Sequence, residues 1–530
     1  MRSNRLPATG RSGPDLDRLV QKAFAAHQDG ALAQAEKLYR TALDRDPNNV
    51  DVLHQLGYLS YERGRLTEAL RFLSAAVRHD AGFAEALSDL GLAQHALERY
   101  GEALASHDAA LAIEPDNPNY INRQAVTLSR LGRHAEALAA LDRALMRDPG
   151  NIDLLGNRGN VLVRLNRPVE AIAAYDEARA GIGDTAPLLT NRAHALRRLD
   201  RVEEAVADLD TAIALKPDFA EAHFERGMAQ LALGDFANGW TSYERRWDTG
   251  AFAPSRRGFT SPLWTRVQPV AGKTVLLHGE QGLGDTLQFV RYVPLVAARG
   301  ATVVLEVQPE LLSLLAGFDG AAHVVARGTK LPRFDLHCPL MSLPHALGTQ
   351  PDSIPAAVPY IAASEARAQA WERRLPVARP RVGLAWAGRT SHNNDLNRSI
   401  PLAQLAPLLR TCGVQLISLQ RDLRPGDDAI LRDHPTIARL AETLVDFADT
   451  AALIARLDAV ISVDTAVAHL AGALGKPLLL LLPFAADFRW LRGRDDSPWY
   501  PSARLLRQPA FGAWGEVISR VPAALDALLR

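Results

Sequence analysis

Cysteine is almost missing: two residues, Cys338 and Cys412, in a chain of 530. Two isolated thiols build neither a disulfide framework nor a zinc site, and they fit a reducing compartment. An excess of charge of one sign is missing too. Lys and Arg together number 60, and so do Asp and Glu, so no global field draws the chain to nucleic acid or to an anionic membrane. Long apolar runs are absent, and the longest aliphatic one, Leu478–Leu482, is far too short to span a bilayer. The opening residues are polar, with Arg, Ser and Gly and no apolar segment of the kind a secretory signal needs. These absences point to a soluble cytoplasmic protein. What is present is an ordinary globular balance, 47% hydrophobic and 23% charged, with length for about three structural units. Almost all cations are Arg, a bias that runs through the whole chain and reads as coding composition.

Self-comparison finds a repeat of period 34. Pro47, Pro115, Pro149 and Pro217 lie on one lattice, with Ala81 and Gly183 at its remaining points. Ala35, Ala69, Ala103, Ala137, Ala171 and Ala205 form a second column, and Ala42, Ala76, Ala110, Ala144, Ala178 and Ala212 a third. Gly57, Gly91, Gly159 and Gly227 form a fourth, with Ala125 and Ala193 in its gaps. Tyr39, Leu73, Leu141, Tyr175 and Leu209 form a fifth, interrupted by His107. Such columns predict pairs of antiparallel helices. Small residues sit where backbones approach, larger ones fill the space between stacked pairs, and Pro opens the next unit because it cannot continue a helix. No unit buries its apolar face alone, so the units stack.

These columns resemble the tetratricopeptide repeat family over roughly the first 240 residues. The resemblance implies an all-α solenoid with a concave groove for a peptide or protein, rather than a mere spacer. The sixth position of successive units reads Gln55, Asp89, Arg123, Asn157, Asn191 and Glu225. In this family it lies on the helix lining the inner face, so Asp89, Arg123, Asn157 and Asn191 are candidate acceptor-groove residues. The O-linked N-acetylglucosamine transferase family carries an asparagine ladder there, which pairs with a peptide backbone without reading sequence. Two Asn among mixed charges suggest a more selective partner.

The array runs into Trp240, Tyr243 and Trp247, aromatics at helical spacing that predict a capping helix. Residues 251–272, rich in Pro, Ser, Arg and Gly, read as a linker or extended strap. From Lys273 short aliphatic runs alternate with helical segments, the pattern of parallel α/β units. Strands are predicted at 275–278, 302–307 and 324–325, then at 382–386, 415–419, 459–463 and 478–482. A Pro- and Ala-rich stretch, 351–380, with one helix near 365–374, reads as a hinge. Two such lobes place a cleft between their strand C-termini, where parallel sheets bind ligands.

The first strand leads into Gly279-Glu280-Gln281-Gly282-Leu283-Gly284-Asp285. A glycine-rich turn entering a helix lets backbone amides approach an anion or sugar. Its glycine spacing is neither that of a dinucleotide fingerprint nor that of a P-loop. This turn and the later run Asp464-Thr465-Ala466-Val467-Ala468-His469 resemble the family 9, ADP-heptose-type glycosyltransferases. With Trp386-Ala387-Gly388, Asn397-Arg398-Ser399 and the repeats, the chain resembles bacterial glycosyltransferases fused to tetratricopeptide repeats, some implicated in modifying flagellin.

The resemblance implies an α/β GT-B fold of two Rossmann-like lobes, inversion at the sugar and no metal or cofactor beyond a nucleotide-sugar co-substrate. Asp285 matches the family's proposed general base, although an Asp there also caps a helix; Glu280 is a second candidate. Gly282 and Gly284 shape the donor-binding turn. The amides after Asp464, with the Thr465 hydroxyl, suit a donor diphosphate; Asp464 itself suits a sugar hydroxyl, and His469 lies one turn on. The loop 387–399 supplies Arg389, His392 and Arg398 as a phosphate clamp. The family often places a Lys near it; here Arg389 or Arg398 stands in. Gln420, just past a strand, faces the nucleobase in this reading, whereas Trp386 reads as core. The D-x-D triplet Asp208-Leu209-Asp210 lies in the repeats and reads as solvated surface. No G-x-S-x-G elbow is present.

The expected organisation is a disordered N-terminus (1–15), an all-α repeat solenoid with capping helix (16–250), a linker (251–272), and two α/β lobes (273–375 and 376–530). The expected function is transfer of a sugar to a Ser or Thr hydroxyl of a protein acceptor held by the groove. The alternatives are a lipid-linked or polysaccharide acceptor and a non-catalytic adaptor with a degenerate transferase domain.

Overall fold

A computed structural model describes residues 14–265, 268–411 and 413–530. Cys412 and the first thirteen residues, the bulk of the expected disordered segment, lie outside it; a helix starts at Pro14. The chain divides into two compact units, Met1–Gly183 and Asp184–Arg530. The division falls inside the repeats.

The first unit is a run of helix pairs, from Pro14–Gln28 with Leu32–Arg45 to Ile152–Arg164 with Pro168–Ile182. Asn49 and Asn151 follow the lattice prolines and cap the next helices, their side-chain oxygens accepting from the amides of Val52 and Leu154. The Ala columns are buried, and the glycine and large-residue columns turn out to be one contact. A Cβ on Gly57, Gly91 or Gly159 would stand 2.5, 2.4 or 2.4 Å from Leu73, His107 or Tyr175. The larger side chain lies on the bare backbone of the preceding helix, which only Gly, or Ala with some give, permits.

The second unit begins with four more repeat helices, Ala186–Arg198, Val202–Leu215, Ala220–Ala232 and Phe236–Tyr243. Asp208, expected at the surface, is buried and accepts from Arg192 at 2.6 Å. The capping helix stops at Tyr243, and a 3-10 turn, Glu244–Asp248, takes over. Phe236, Trp240 and Tyr243 do more than seal the array: they belong to one core with both α/β lobes. The Trp240 ring meets Phe289 of the first lobe and Phe488 of the second, centroids 6.4 and 5.6 Å apart.

The first lobe is a parallel sheet of β1 (Thr274–His278), β2 (Thr302–Val307), β3 (Ala321–Ala326) and β4 (Leu336–Pro339), ordered β3-β2-β1-β4. The second is β5 (Arg381–Ala385), β6 (Gln415–Ser418), β7 (Ala459–Val463), β8 (Leu478–Leu482) and β9 (Ala503–Arg507), ordered β6-β5-β7-β8-β9 and again parallel. All three are buried along their whole length: β8 reads as a continuous apolar run, β7 as one interrupted only by Ser462 and β5 as one that follows Arg381. The edge strands β4 and β9 escape the sequence because one is short and ends in Pro and the other carries Arg at 504 and 507. The segment after the cap is the strap of the two readings. Leu263 bridges His337 at the β4 edge, and Trp264 and Val270 are buried. In the expected hinge, Ile361, Ala368 and Trp371 are buried in the shared core.

Candidate functional site

The carboxyl ends of β1, β2, β5, β6, β7 and β8 open on one cleft of about 570 Å³. Gly282, Gly284, Asp285, Arg389, His392, Arg398, Gln420, Asp464, Thr465 and His469, far apart in sequence, all line it. Glu280 does not. Its side chain is 3% exposed behind the turn, with one oxygen accepting from Arg246 at 3.3 Å and Oε2 without a partner. Burial, against the pull of Arg246, pushes its carboxyl up to about 7.

On the first-lobe wall, Asp285 Oδ2 accepts from the Gly282 amide at 2.8 Å, closing the cap of the helix Leu283–Phe289. The other oxygen forms an ion pair with Arg489. The capping role and a place in the cleft therefore coexist. Gly284 marks where the lobes touch. A Cβ there would stand 2.8 Å from His469 Cδ2 and 3.5 Å from the Ala466 backbone, so the helix packs onto Ala466–Ala473 only because the position is bare.

On the second-lobe wall, Arg389 and His392 are exposed. Arg398 is a strut: its Nη1 donates to the Asp464 carbonyl at 3.1 Å and its guanidinium lies against Gly388. Gln420 is engaged as well. Its amide oxygen accepts from the Trp386 and Ala387 amides at 3.2 and 3.0 Å, and its nitrogen donates to the Asp422 carbonyl, so it holds the β5 and β6 loops together instead of offering a free edge to a base. Trp386 is core, its indole N–H donating to Asp427 at 2.9 Å. Thr465 caps the helix Ala466–Ala473 through its backbone position alone, leaving the hydroxyl near Ser462. His469 is buried, shares a hydrogen bond of 2.9 Å with Tyr500 and stacks on Trp490. Burial drives its pKa down to about 3, so the ring is neutral. Asp464 lies 3.7 Å from it, raised above the usual carboxylate range by burial and by Asp487.

Sequence reading missed the loop after β8. Arg489, buried, donates to Asp487 at 2.7 Å, to Gln288 at 2.7 Å and to Asp285. It ties the second lobe to the first lobe's carboxylate and holds Asp487 low against its burial. Arg421 lines the cleft too, exposed, in the loop after β6. The available signal was position: polar residues just past a parallel strand's carboxyl end.

The groove candidates fare unevenly. Asp89 is buried, bonded to His54 at 2.8 Å and to Arg123 at 2.7 Å. Gln55 is buried too. Asp89 thereby joins neighbouring units, while Arg123, its partner, keeps a partly exposed side chain. Asn157, half-buried, donates to Asn122 at 2.7 Å; Asn191, in the second unit, is also half-buried.

Tetratricopeptide repeat models match residues 26–94, 122–187 and 193–234. The glycosyltransferase family 9 (heptosyltransferase) model matches residues 431–484, which hold Asp464, Thr465 and His469 but neither Asp285 nor the 387–399 loop. Protein FlbA of Caulobacter vibrioides is 27% identical over 333 residues, 58% of this chain, and the chain spans only 55% of its length. Among solved structures, a tetratricopeptide repeat protein from Parabacteroides merdae is 17% identical, covering 45% of this chain and 94% of its own, with a TM-score of 0.40. A thermophilic one from Thermus thermophilus is 23% identical, covering 34% and 99%, with a TM-score of 0.32. No helix among the described residues is long and apolar enough to cross a membrane. Over much of residues 26–234 the chain is similar to tetratricopeptide repeat proteins, and over 431–484 to the family 9 heptosyltransferases, a pairing of repeats with a heptosyltransferase-like α/β region.

Proposed function

We propose that the protein is a cytoplasmic, metal-independent, inverting glycosyltransferase of GT-B architecture that moves a sugar from a nucleotide donor to a Ser or Thr hydroxyl of a protein acceptor recruited by the repeats. One observation carries the reading: Asp285 and the amino end of the helix Ala466–Ala473 line the same cleft between two parallel sheets. In this reading the donor diphosphate meets the free amides at Thr465 and Ala466, aided by Arg389 and Arg421. The acceptor oxygen attacks the anomeric carbon as its proton passes to Asp285, and the bond to the diphosphate breaks on the far face. Arg489, gripping Asp285 and Asp487, fixes where that carboxylate stands. Flagellin is the acceptor that the resemblance suggests.

A thermal-shift screen of the purified protein against UDP, GDP, ADP, CMP and TDP sugars tests the reading. One selective upward shift names the donor, because binding to the folded state alone raises the midpoint. No shift with any of them rejects the transferase in favour of an adaptor. Acceptor capture is tested by removing residues 14–183 only. Cutting at 250 would strip Trp240 and Tyr243 from the transferase core.

A further inference from the structure

Three loops that carry cleft residues also touch the last repeats of the second unit. Tyr243 accepts at its hydroxyl from Gln281 Nε2 at 2.7 Å. Arg246 donates to Glu280 at 3.3 Å and to Ser342 at 2.7 Å. Arg198, closing the helix Ala186–Arg198, donates to the carbonyl of Asn393 at 3.3 Å, in the loop that bears Arg389 and His392. Arg492, just past Arg489, pairs with Asp200 at 2.9 Å and Glu203 at 2.7 Å.

The grip at Glu280–Gln281 is the most built of the three. Arg246 has no exposed surface and lies between the Tyr243 and Trp247 rings, 4.7 Å from each centroid. Its other ionic partner, Glu244, accepts at 2.6 Å and also takes a hydrogen bond from Ser342. A buried cation is costly to hold unless its partners are fixed. Here they belong to the repeat cap on one side and to the β1 turn on the other. The turn's far side is held by Gln308, which donates to the Gln281 carbonyl at 2.9 Å and accepts from Thr286. From Gln281 the chain passes to Gly282, whose amide holds Asp285.

We propose that Tyr243 and Arg246, at the end of the repeat array, are positioning residues for the transferase: they grip Glu280 and Gln281 and so set the place of the Gly282–Asp285 turn in the cleft. The inference rests on the transferase reading of that cleft. It makes the last repeats part of the catalytic apparatus rather than a tethered recruiting module. A displacement of about 1 Å at such a turn costs on the order of 100-fold in turnover.

The test uses the full chain as Tyr243→Phe, Arg246→Lys and Arg246→Met, with Arg246→Met/Glu280→Gln as a folded control that removes the stranded carboxyl. Two readouts are taken: turnover and dissociation constant for the nucleotide sugar selected by the screen, and hydrogen exchange of peptides spanning 280–287. Expected are turnovers lowered about 10- to 100-fold at nearly unchanged donor affinity, least in Arg246→Lys, and faster exchange at 280–287 with the β7–β8 peptides unaffected. Wild-type turnover in Tyr243→Phe and in the double variant would overturn the proposal, as would affinity falling in step with turnover. If the wild-type protein binds none of the sugars, the transferase reading fails separately. Exchange then decides alone: unaltered protection at 280–287 rejects the grip and faster exchange sustains it.

Discussion

His107 stands where the repeat lattice otherwise places Leu or Tyr. It is fully buried against Gly91, and neither ring nitrogen has a partner. Burial drives its pKa from an ordinary 6.5 down to about 3, so the folded protein holds it neutral. His107→Leu restores the column and removes two unsatisfied buried atoms, so it should stabilise the first unit by about 1–2 kcal/mol. Below pH 6.5 the unfolded chain takes up a proton that the folded chain refuses, and wild-type stability falls as pH falls. The variant lacks that loss. Its advantage should widen by about 1.4 kcal/mol per pH unit between 6.5 and about 3, read from urea midpoints at pH 7, 6 and 5; a constant gap refutes the assignment. Asp285→Asn keeps the size of the side chain and removes the proton acceptor. Turnover should drop by about 100- to 10,000-fold with the donor still bound, and a variant that transfers sugar at the wild-type rate removes Asp285 from the chemistry.

At the scale of elements, the lobes meet where the helix Leu283–Phe289 crosses Ala466–Ala473, and the crossing depends on Gly284. A methyl group there presses on the buried His469 ring, which is itself stacked on Trp490. Gly284→Ala should therefore cost about 1–3 kcal/mol and loosen donor binding together. Calorimetric unfolding with and without the donor checks both, and an unchanged midpoint shows that the neighbours yield freely. The same physics appears harmlessly in the repeats, where Ala125 and Ala193 occupy the glycine column: Ala125 and the Leu141 of the large-residue column are both fully buried.

At the scale of the molecule, the fragment 184–530 should fold and keep its cleft, whereas 251–530 should not. The shorter piece loses Phe236, Trp240 and Tyr243 from the core and leaves Glu280 buried without Arg246. Aromatic truncations in such cores cost about 3–5 kcal/mol each, against a total stability of only about 5–15 kcal/mol. Expressing both and recording cooperative melting decides it; a soluble, cooperatively melting 251–530 shows that the repeats are separable.

The repeats, the alternation of strands and helices, and most strand positions were legible in the sequence, because period and apolar burial are local properties written once per turn or per strand. Ala columns and the runs at 459–463 and 478–482 carry that record directly. Single residues at the cleft were legible only by position: Asp285 and Asp464 follow strands into helices. Their partners were not legible. That Arg489 reaches Asp285, that Arg398 and Gln420 are engaged by backbone, that Asp89 joins two repeats, and that Arg246 pairs with Glu280 are matters of which surfaces the chain brings together. A charged side chain's partner is set by tertiary distance, which leaves no period in the sequence. For the same reason the division of the chain at Gly183 leaves no mark in composition, which changes instead at the linker.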